Sequence, residues 1–135
     1  MNRTIRIQYP PKRIVSLVPS QTELLFDLGL EKEVVGITKF CVHPNNWFRN
    51  KTRVGGTKNL NLEQIGKLKP DLILANKEEN TESEIKQLIK EYTVWISDIQ
   101  NLEDAIEMIF LIGKMTNTNA QAKIIINNIQ KGFDL

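Results

Sequence analysis

The stretch "RIVSLVPSQTELLFDLGLEKEVVGI", residues 13–37, decides the class of fold that this sequence adopts. It opens on an apolar run (13–18) and closes on another (33–37). Both are rich in β-branched residues, as short buried strands are. Leucines at helical spacing lie between the runs, and Gly29 predicts the end of that helix. The stretch therefore predicts a strand–helix–strand unit with parallel strands.

The start of this helix has a signature of its own. Ser20 is followed three residues later by Glu23, which is the spacing of a capping box. A helix N-terminus can also bind an anion, but phosphate-binding loops add glycines and residues 18–22 contain none. We therefore predict that Ser20 caps the helix.

The same alternation of apolar runs and helical patterns continues to the end of the chain. Two more strands are predicted, at 72–75 and 93–96. Further helices are predicted at 61–68, 81–92, 101–115 and 118–133. Short apolar strands joined by helices require crossover connections. The predicted fold class is therefore α/β, a three-layer arrangement with a parallel four-stranded sheet and helices on both faces.

Composition and charge exclude several classes of protein. The 135 residues suit one domain with a hydrophobic core, since 41% are hydrophobic and 25% are charged. Eighteen basic and sixteen acidic residues leave a net charge of +2, too small to predict a nucleic-acid or membrane partner. Residues 1–20 lack the apolar core of a secretory signal peptide, and no apolar run is long enough to span a membrane.

A long segment without apolar periodicity, residues 38–60, is predicted to be a loop with a functional role. It holds the only cysteine, Cys41, and the only histidine, His43. A closed zinc site needs four ligands, and neither residue has a second Cys or His as companion. Three interpretations stay open: a packed thiol with a hydrogen-bonded imidazole, contact with a bound ligand or its metal, and nucleophilic catalysis.

Other residues of this loop are candidates for binding. Phe40, with Trp47 and Phe48, can form aromatic walls for a large flat ligand or a small core of the loop itself. The glycine pair 55–56 predicts a turn, which leaves Thr57 and Lys58 free to line a cleft.

Asn61 is predicted to cap the helix 61–68, which places Glu63 at the second helical position after the cap. The apolar face of that helix is formed by Leu62, Ile65 and Leu68, so we expect the Glu63 carboxylate to point outward. It is either an ordinary acidic residue of a first helical turn or a charged contact for an arginine of a partner.

The order of these motifs resembles the substrate-binding proteins of ABC importers for cobalamin, haem and iron-siderophores. The matching stretches are 13–38, "FCVHP" (40–44), "VGGTKNLNLEQIGKLKPDLILANKEEN" (54–80) and "VWISDIQNLEDAIEMIFLIGKM" (94–115). The pairing of "NLEQI" with "LKPDLI" is quite specific in this setting. The cobalamin-binding members are the most similar.

The resemblance implies an organisation into lobes. Residues 1–116 would form an N-terminal Rossmann-like lobe, and residues 117–135 would begin the long helix that joins it to a C-terminal lobe, which is absent. The ligand cleft lies between the two lobes in this class. Localisation would be periplasmic or at the cell surface.

The resemblance also implies roles for individual residues. Ser20 falls on a cleft contact, Phe40 on an aromatic residue that packs on the corrin, and Thr57 on another position that is aromatic in cobalamin binders. Cys41 and His43 fall in the loop that faces the cleft, where His43 could be an axial ligand of a bound metal chelate. Glu63 falls on the acidic residue that pairs with arginines of the permease.

The expected function is therefore capture of cobalamin, haem or a ferric siderophore for delivery to an ABC permease, with no catalytic residue and no resident cofactor or metal. Two alternatives stay open. One is a cytoplasmic carrier or sensor built on the same lobe, which the lack of a signal peptide favours. The other is a small Rossmann-like enzyme that uses Cys41 or His43.

Overall fold

The computed structural model describes residues 5–133. The first four residues of the predicted lobe 1–116 and the last two of the predicted segment 117–135 lie outside this range. Within it, the strands are β1 (Ile14–Ser16), β2 (Val34–Ile37), β3 (Thr52–Arg53), β4 (Gly55–Gly56), β5 (Asn59–Leu60), β6 (Leu72–Asn76) and β7 (Val94–Ser97). The helices are α1 (Pro19–Asp27), α2 (Asn45–Asn50), α3 (Leu62–Leu68), α4 (Glu82–Glu91), α5 (Leu102–Met115) and α6 (Asn119–Phe133). None of the helices in this range is long and apolar enough to cross a membrane.

A parallel sheet with the strand order β3-β2-β1-β6-β7 forms the centre of the fold. The predicted α/β class is confirmed, and the four predicted strands correspond to β1, β2, β6 and β7. The sheet has a fifth strand, β3, which corrects the predicted number of four. β3 has only two residues at the sheet edge, too short to produce an apolar run in the sequence.

Alternate residues of the central strands enter two separate cores. Ile14 of β1 and Leu72 of β6 pack with α1, α5 and α6. Their neighbours Val15 and Ile73 pack on the opposite face with α3 and α4. All four side chains are fully buried, and each contributes about 2 kcal/mol by leaving water. This period of two places the sheet between two helical layers.

The first helix begins differently from the prediction. Ser20 is the second residue of α1, and the N-cap is Val18, which makes no side-chain hydrogen bond, so the predicted capping box is wrong. Pro19 occupies the first helical turn. A backbone N–H at this position would have no partner within the helix, so its absence in proline costs no hydrogen bond, and the fixed φ of proline suits the helix. The predicted end is confirmed, because Gly29 has a φ of +83° just after the C-cap Leu28.

The predicted loop 38–60 has more structure than its sequence indicates. It contains α2, the edge strand β3, and an antiparallel hairpin of β4 and β5 with Thr57 and Lys58 at its turn. Gly55 has a φ of +95°, and a Cβ there would lie 2.6 Å from the carbonyl oxygen of Asn59. The glycine pair forms strand β4 and the turn lies on Thr57 and Lys58, so the predicted turn at 55–56 is placed two residues too early, and the hairpin requires glycine at position 55.

The last two helices pack closely against each other. A Cβ added to Gly113 of α5 would lie 2.5 Å from the Cβ of Ala122 on α6, so the helices approach to the limit that backbone atoms permit. Asn117, with a φ of +59°, lies in the connection between them. The N–H of Thr118 donates to the Gly113 carbonyl at 2.8 Å. These contacts fix α6 against the helical layer formed by α1 and α5.

Candidate functional site

Five connections leave the sheet at the carboxyl ends of its parallel strands and share one edge of the molecule. β1 leads into α1, β2 into the loop 38–44, β3 into the β4–β5 hairpin, β6 into the loop 77–81 and β7 into the loop 98–101. Ligands of open parallel sheets bind at this edge. We therefore take this edge as the candidate ligand-binding site.

Phe40 presents an exposed aromatic ring at this edge. The residue is 55% exposed, and Lys39 Nζ lies 5.3 Å from the ring centroid. A Cβ added to Gly56 would lie 3.3 Å from the ring, so the hairpin passes directly beside Phe40. Phe40 therefore lies next to the turn formed by Thr57 and Lys58. We call Phe40, Thr57 and Lys58 the hairpin surface.

The hairpin is fastened to the loop that follows β6 and to α4. The four hydrogen bonds run from Asn80 Nδ2 to Thr57 O (3.0 Å), from Thr81 Oγ1 to Lys58 O (3.0 Å), from Lys58 Nζ to Glu78 O (2.6 Å) and from Leu60 N to Glu84 Oε2 (3.0 Å). Three of them engage the turn residues themselves. The turn is thus held through its backbone and the Lys58 ammonium group.

Two asparagines organise the end of β6, and neither was predicted to be functional. Asn76 Oδ1 accepts from the N–H groups of Glu78 and Glu79, both at 2.9 Å. Asn80 Oδ1 accepts from Asn76 N at 2.9 Å, and Asn80 Nδ2 also donates to Leu17 O at 3.2 Å. The sequence signal for this arrangement is "NKEEN", with two asparagines four residues apart directly after a buried strand.

Cys41 lies inside the protein, not on the ligand edge. It has no exposed surface, and its Sγ lies 3.1 Å from Thr22 Oγ1 and 3.2 Å from Thr38 Oγ1. Thr22 Oγ1 in turn lies 2.7 Å from Ser16 Oγ. The thiol is thus a packed, hydrogen-bonded group, which agrees with the thiol part of the first interpretation of the sequence. We leave it out of the hairpin surface because a ligand cannot reach it in this structure.

His43 is exposed but lies against the side of α1. It shares a hollow of about 200 Å³ with Glu23, Phe26, Asp27 and Pro44. It is not among the hydrogen-bond partners of the Cys41 thiol, so the two residues do not form a dyad. Its predicted role as an axial ligand stays a prediction.

Ser20 and Glu63 are both exposed, at different elements. Ser20 lies in the first turn of α1, three residues after Leu17, whose carbonyl Asn80 binds. Glu63 lies in the first turn of α3, where the Asn61 side chain accepts from the Gln64 N–H as predicted for a cap. The Glu63 carboxylate is 3.7 Å from Lys67 Nζ.

Of the other two loop aromatics, Trp47 belongs to the main core on the α1 side of the sheet and Phe48 packs with Arg53. Trp47 is buried, packs edge-to-face on Phe26 with ring centroids 5.5 Å apart, and donates its indole N–H to Glu31. Lys51 Nζ lies 4.6 Å from the Trp47 ring and donates to Glu31 O at 2.6 Å. Burial lowers the pKa of Lys51, and Glu31 and Glu33 oppose that shift. Phe48 is half-buried beneath the Arg53 guanidinium.

The side chains at this edge are of the kinds that contact organic ligands. Among residues 5–133, no group of three or more His, Cys, Asp and Glu side chains is placed to hold a metal ion. An apolar ring, hydroxyls, amides and a lysine are groups that hold an organic ligand by packing and hydrogen bonds. A second hollow, of about 420 Å³, lies between the loop after β6 and α4, and no predicted site residue lines it.

Comparison with known proteins identifies relatives of this chain. A family model described as "Periplasmic binding protein" matches residues 14–134. An uncharacterized ABC transporter substrate-binding lipoprotein of Bacillus subtilis (strain 168) is 32% identical over 133 residues, which are 96% of this chain and 42% of the relative. The chain therefore spans less than half the length of that relative.

Solved structures share the fold described above. A possible iron-binding (periplasmic solute-binding) protein from Staphylococcus epidermidis ATCC 12228 superposes with a TM-score of 0.83 at 30% identity, covering 93% of this chain and 50% of its own. The periplasmic vitamin B12 binding protein of Vibrio cholerae superposes with a TM-score of 0.83 at 25% identity, covering 93% of this chain and 49% of its own.

Proposed function

Since this chain belongs to the periplasmic binding protein family, we propose that it forms one wall of the ligand cleft in the substrate-binding protein of an ABC importer. The ligand is a corrinoid or an iron chelate, which the protein captures and hands to a permease without making or breaking a bond. The observation that supports this role is the hairpin surface, where an exposed phenylalanine ring lies beside a polar turn at the carboxyl edge of a parallel sheet.

The hairpin surface suits a ligand that is partly flat and partly polar. The Phe40 ring offers an apolar face on which a macrocycle or an aromatic chelator can stack. Lys58, at the exposed turn, adds a cation beside it. Ser20 borders the same edge from the start of α1, so it joins the proposed ligand contacts.

The second wall of the cleft would come from sequence that the longer relatives have and this chain does not match. The B. subtilis relative is more than twice as long as the matched region. In this proposal residues 5–116 are the described part of one lobe, and α6 starts the connection to the second. The assembled protein would act on the outer side of the cytoplasmic membrane.

A titration of the intact natural protein tests the proposed function. Cyanocobalamin, haemin and a ferric hydroxamate siderophore are added separately, and binding is followed by tryptophan fluorescence and visible absorption. We expect one of them to bind with a micromolar or lower Kd. Phe40→Ala should weaken that complex about tenfold, because the stacked ring is lost.

Phe110→Ala is the matched control, since Phe110 is 49% exposed on α5, away from the hairpin surface. It should bind the ligand as the wild type does. Failure of all three compounds to bind would refute the proposal, and equal losses in both variants would remove Phe40 from the site.

Glu63 is the proposed contact with the permease. Its side chain is 83% exposed, and Lys67 lies at salt-bridge distance one turn later, so a cation of the permease would replace Lys67 as the partner of the carboxylate. Glu63→Arg should abolish uptake and leave ligand affinity unchanged. Glu82→Arg is a matched control, because Glu82 is equally exposed and pairs with Lys86 in the first turn of α4. Uptake by the Glu63 variant at the control's rate would refute this contact.

Nothing observed favours the enzymatic alternative. Cys41 is buried with two threonine hydroxyls as partners, and His43 lies outside that cluster. His43 keeps one testable role as an axial ligand of a bound chelate. If it ligates the metal, His43→Ala shifts the visible spectrum of the complex; an unchanged spectrum would exclude ligation.

A further inference from the structure

Asn80 is a buried polar residue at the centre of the candidate site. It is 4% exposed, although it lies in the loop 77–81 at the surface edge of the sheet. Its side-chain amide has three partners on three different segments: the N–H of Asn76, the carbonyl of Leu17 and the carbonyl of Thr57. Both atoms of the amide group are therefore in use within the protein.

The three partner groups belong to three different segments that meet at the candidate ligand edge. Leu17 follows β1 and precedes the exposed start of α1. Asn76 is the last residue of β6. Thr57 is a turn residue of the hairpin surface. The base of the hairpin is tied to the end of β2 and the residues after it by the backbone, since Lys39 N donates to Gly55 O and Val54 N donates to Ile37 O, both at 2.8 Å. The tip at Thr57 and Lys58 is held instead by hydrogen bonds that involve side chains and the loop 77–81.

We propose that Asn80 is a positioning residue of the ligand surface, whose amide fixes the turn at Thr57 and Lys58 relative to the ends of β1 and β6 before a ligand binds. This inference rests on the proposed function. It adds a residue whose amide is fully used within the protein and which sets the distance between the parts of the surface proposed to contact the ligand. A site that is already held in its binding conformation loses less conformational entropy when the ligand binds. The hydrogen bonds of Asn80 should therefore raise the affinity for the ligand.

Only an amide satisfies all three partners at this position. Two carbonyl oxygens need donors, and one backbone N–H needs an acceptor, which matches the NH₂ group and the oxygen of asparagine. Aspartate has the same shape but offers oxygen atoms to both carbonyls. Asn80→Asp therefore breaks the link to Leu17 and Thr57 with little change in volume.

Thr116→Val provides a matched control for loss of a buried polar group. Thr116 is 5% exposed and bonds to Ile112 O and to Thr118 Oγ1 in the connection between α5 and α6. Its loss should reduce thermal stability without affecting the hairpin. Asn80→Ser, which keeps one donor, provides a milder second variant should the aspartate variant fail to fold.

Two measurements on the intact protein test the inference. The first is hydrogen exchange without ligand: Asn80→Asp should speed exchange of the hairpin amides at least tenfold, Asn80→Ser by less, and Thr116→Val not at all. The second is affinity for the compound that the wild type binds: Asn80→Asp should weaken it at least tenfold, and Thr116→Val less than twofold.

Each failure has a separate meaning. Hairpin exchange at the wild-type rate in both Asn80 variants would overturn the inference, as would equal losses of affinity in Asn80→Asp and Thr116→Val. A wild-type protein that binds none of the three compounds would refute the proposed function, while the exchange measurement would still decide whether Asn80 positions the hairpin.

Discussion

The loop 38–44 and the β4–β5 hairpin both present residues at the ligand edge, but they are held in opposite ways. The loop is held by one of its own side chains, that of Cys41, which is buried, while its chain neighbours Phe40 and Val42 are both exposed. The hairpin is fixed through the carbonyls of Thr57 and Lys58 by side chains more than twenty residues later. These two hydrogen bonds to the hairpin do not depend on the turn side chains, and only the bond from Lys58 Nζ to Glu78 O does. In the loop, by contrast, the buried side chain that holds the segment lies between two exposed ones.

The largest effect is expected where the hairpin depends on its own backbone. Gly55→Ala should cost about 3 kcal/mol of unfolding free energy, because it adds a Cβ 2.6 Å from the Asn59 carbonyl at a φ of +95°. Chemical denaturation measures this loss.

Gly29→Ala measures the cost of a positive φ alone, without the steric clash that is added at Gly55. Gly29 also has a positive φ, +83°, but a Cβ there would meet nothing within 4 Å, so only about 1 kcal/mol should be lost. Equal losses at the two positions would mean that the hairpin relaxes around the added atom, and the contrast with the loop would weaken.

The loop anchor should have an intermediate effect. Cys41→Ala leaves the hydroxyls of Thr22 and Thr38 buried without the thiol and should cost about 2 kcal/mol. Denaturation measures this cost as well. The wild-type thiol should react with a thiol reagent only at the rate of opening of the protein, since Cys41 has no exposed surface. Rapid labelling of the folded protein would show that the loop is not anchored from inside.

The smallest effect concerns the segment that joins the two regions. Lys51 lies between α2 and β3, and burial lowers its pKa below 10.5. Between the lowered value and 10.5 the unfolded chain holds more protons than the folded one, so the contribution of Lys51 to stability rises with pH. The stability of the wild type relative to Lys51→Met should therefore increase in an alkaline series that approaches pH 10.5. A flat or falling difference would contradict the burial.

The main features of the fold were predictable because they depend on local pattern. The strands β1, β2, β6 and β7 and the longer helices follow from apolar runs and helical spacing, and the family resemblance is confirmed. The start of α1 was missed because Pro19 at the first helical position outweighs the capping spacing of Ser20 and Glu23.

The missed elements depend on distant contacts. α2 and β3 have six and two residues, too few for a periodic signal. Phe40, Thr57 and Lys58 were predicted as candidates, and their proximity follows from the packing beside Gly56. The hydrogen bonds from Asn80 to Leu17 and Thr57 were not predicted, because the "NKEEN" signal indicates a local turn and carries no information about contacts with distant segments.

The close contact between Gly113 and Ala122 is the point about which α6 would rotate if the packing of the two helices changed. α6 has 15 residues and is therefore about 22 Å long. Ala122 is the fourth residue of α6, so about 16 Å of the helix extends beyond the contact. A side chain at position 113 would tilt the helix, and a tilt of about 10° would move its far end by about 3 Å. A single methyl group at this contact would thus produce a displacement about as large as a hydrogen bond is long. The direction in which α6 points is therefore set by one glycine.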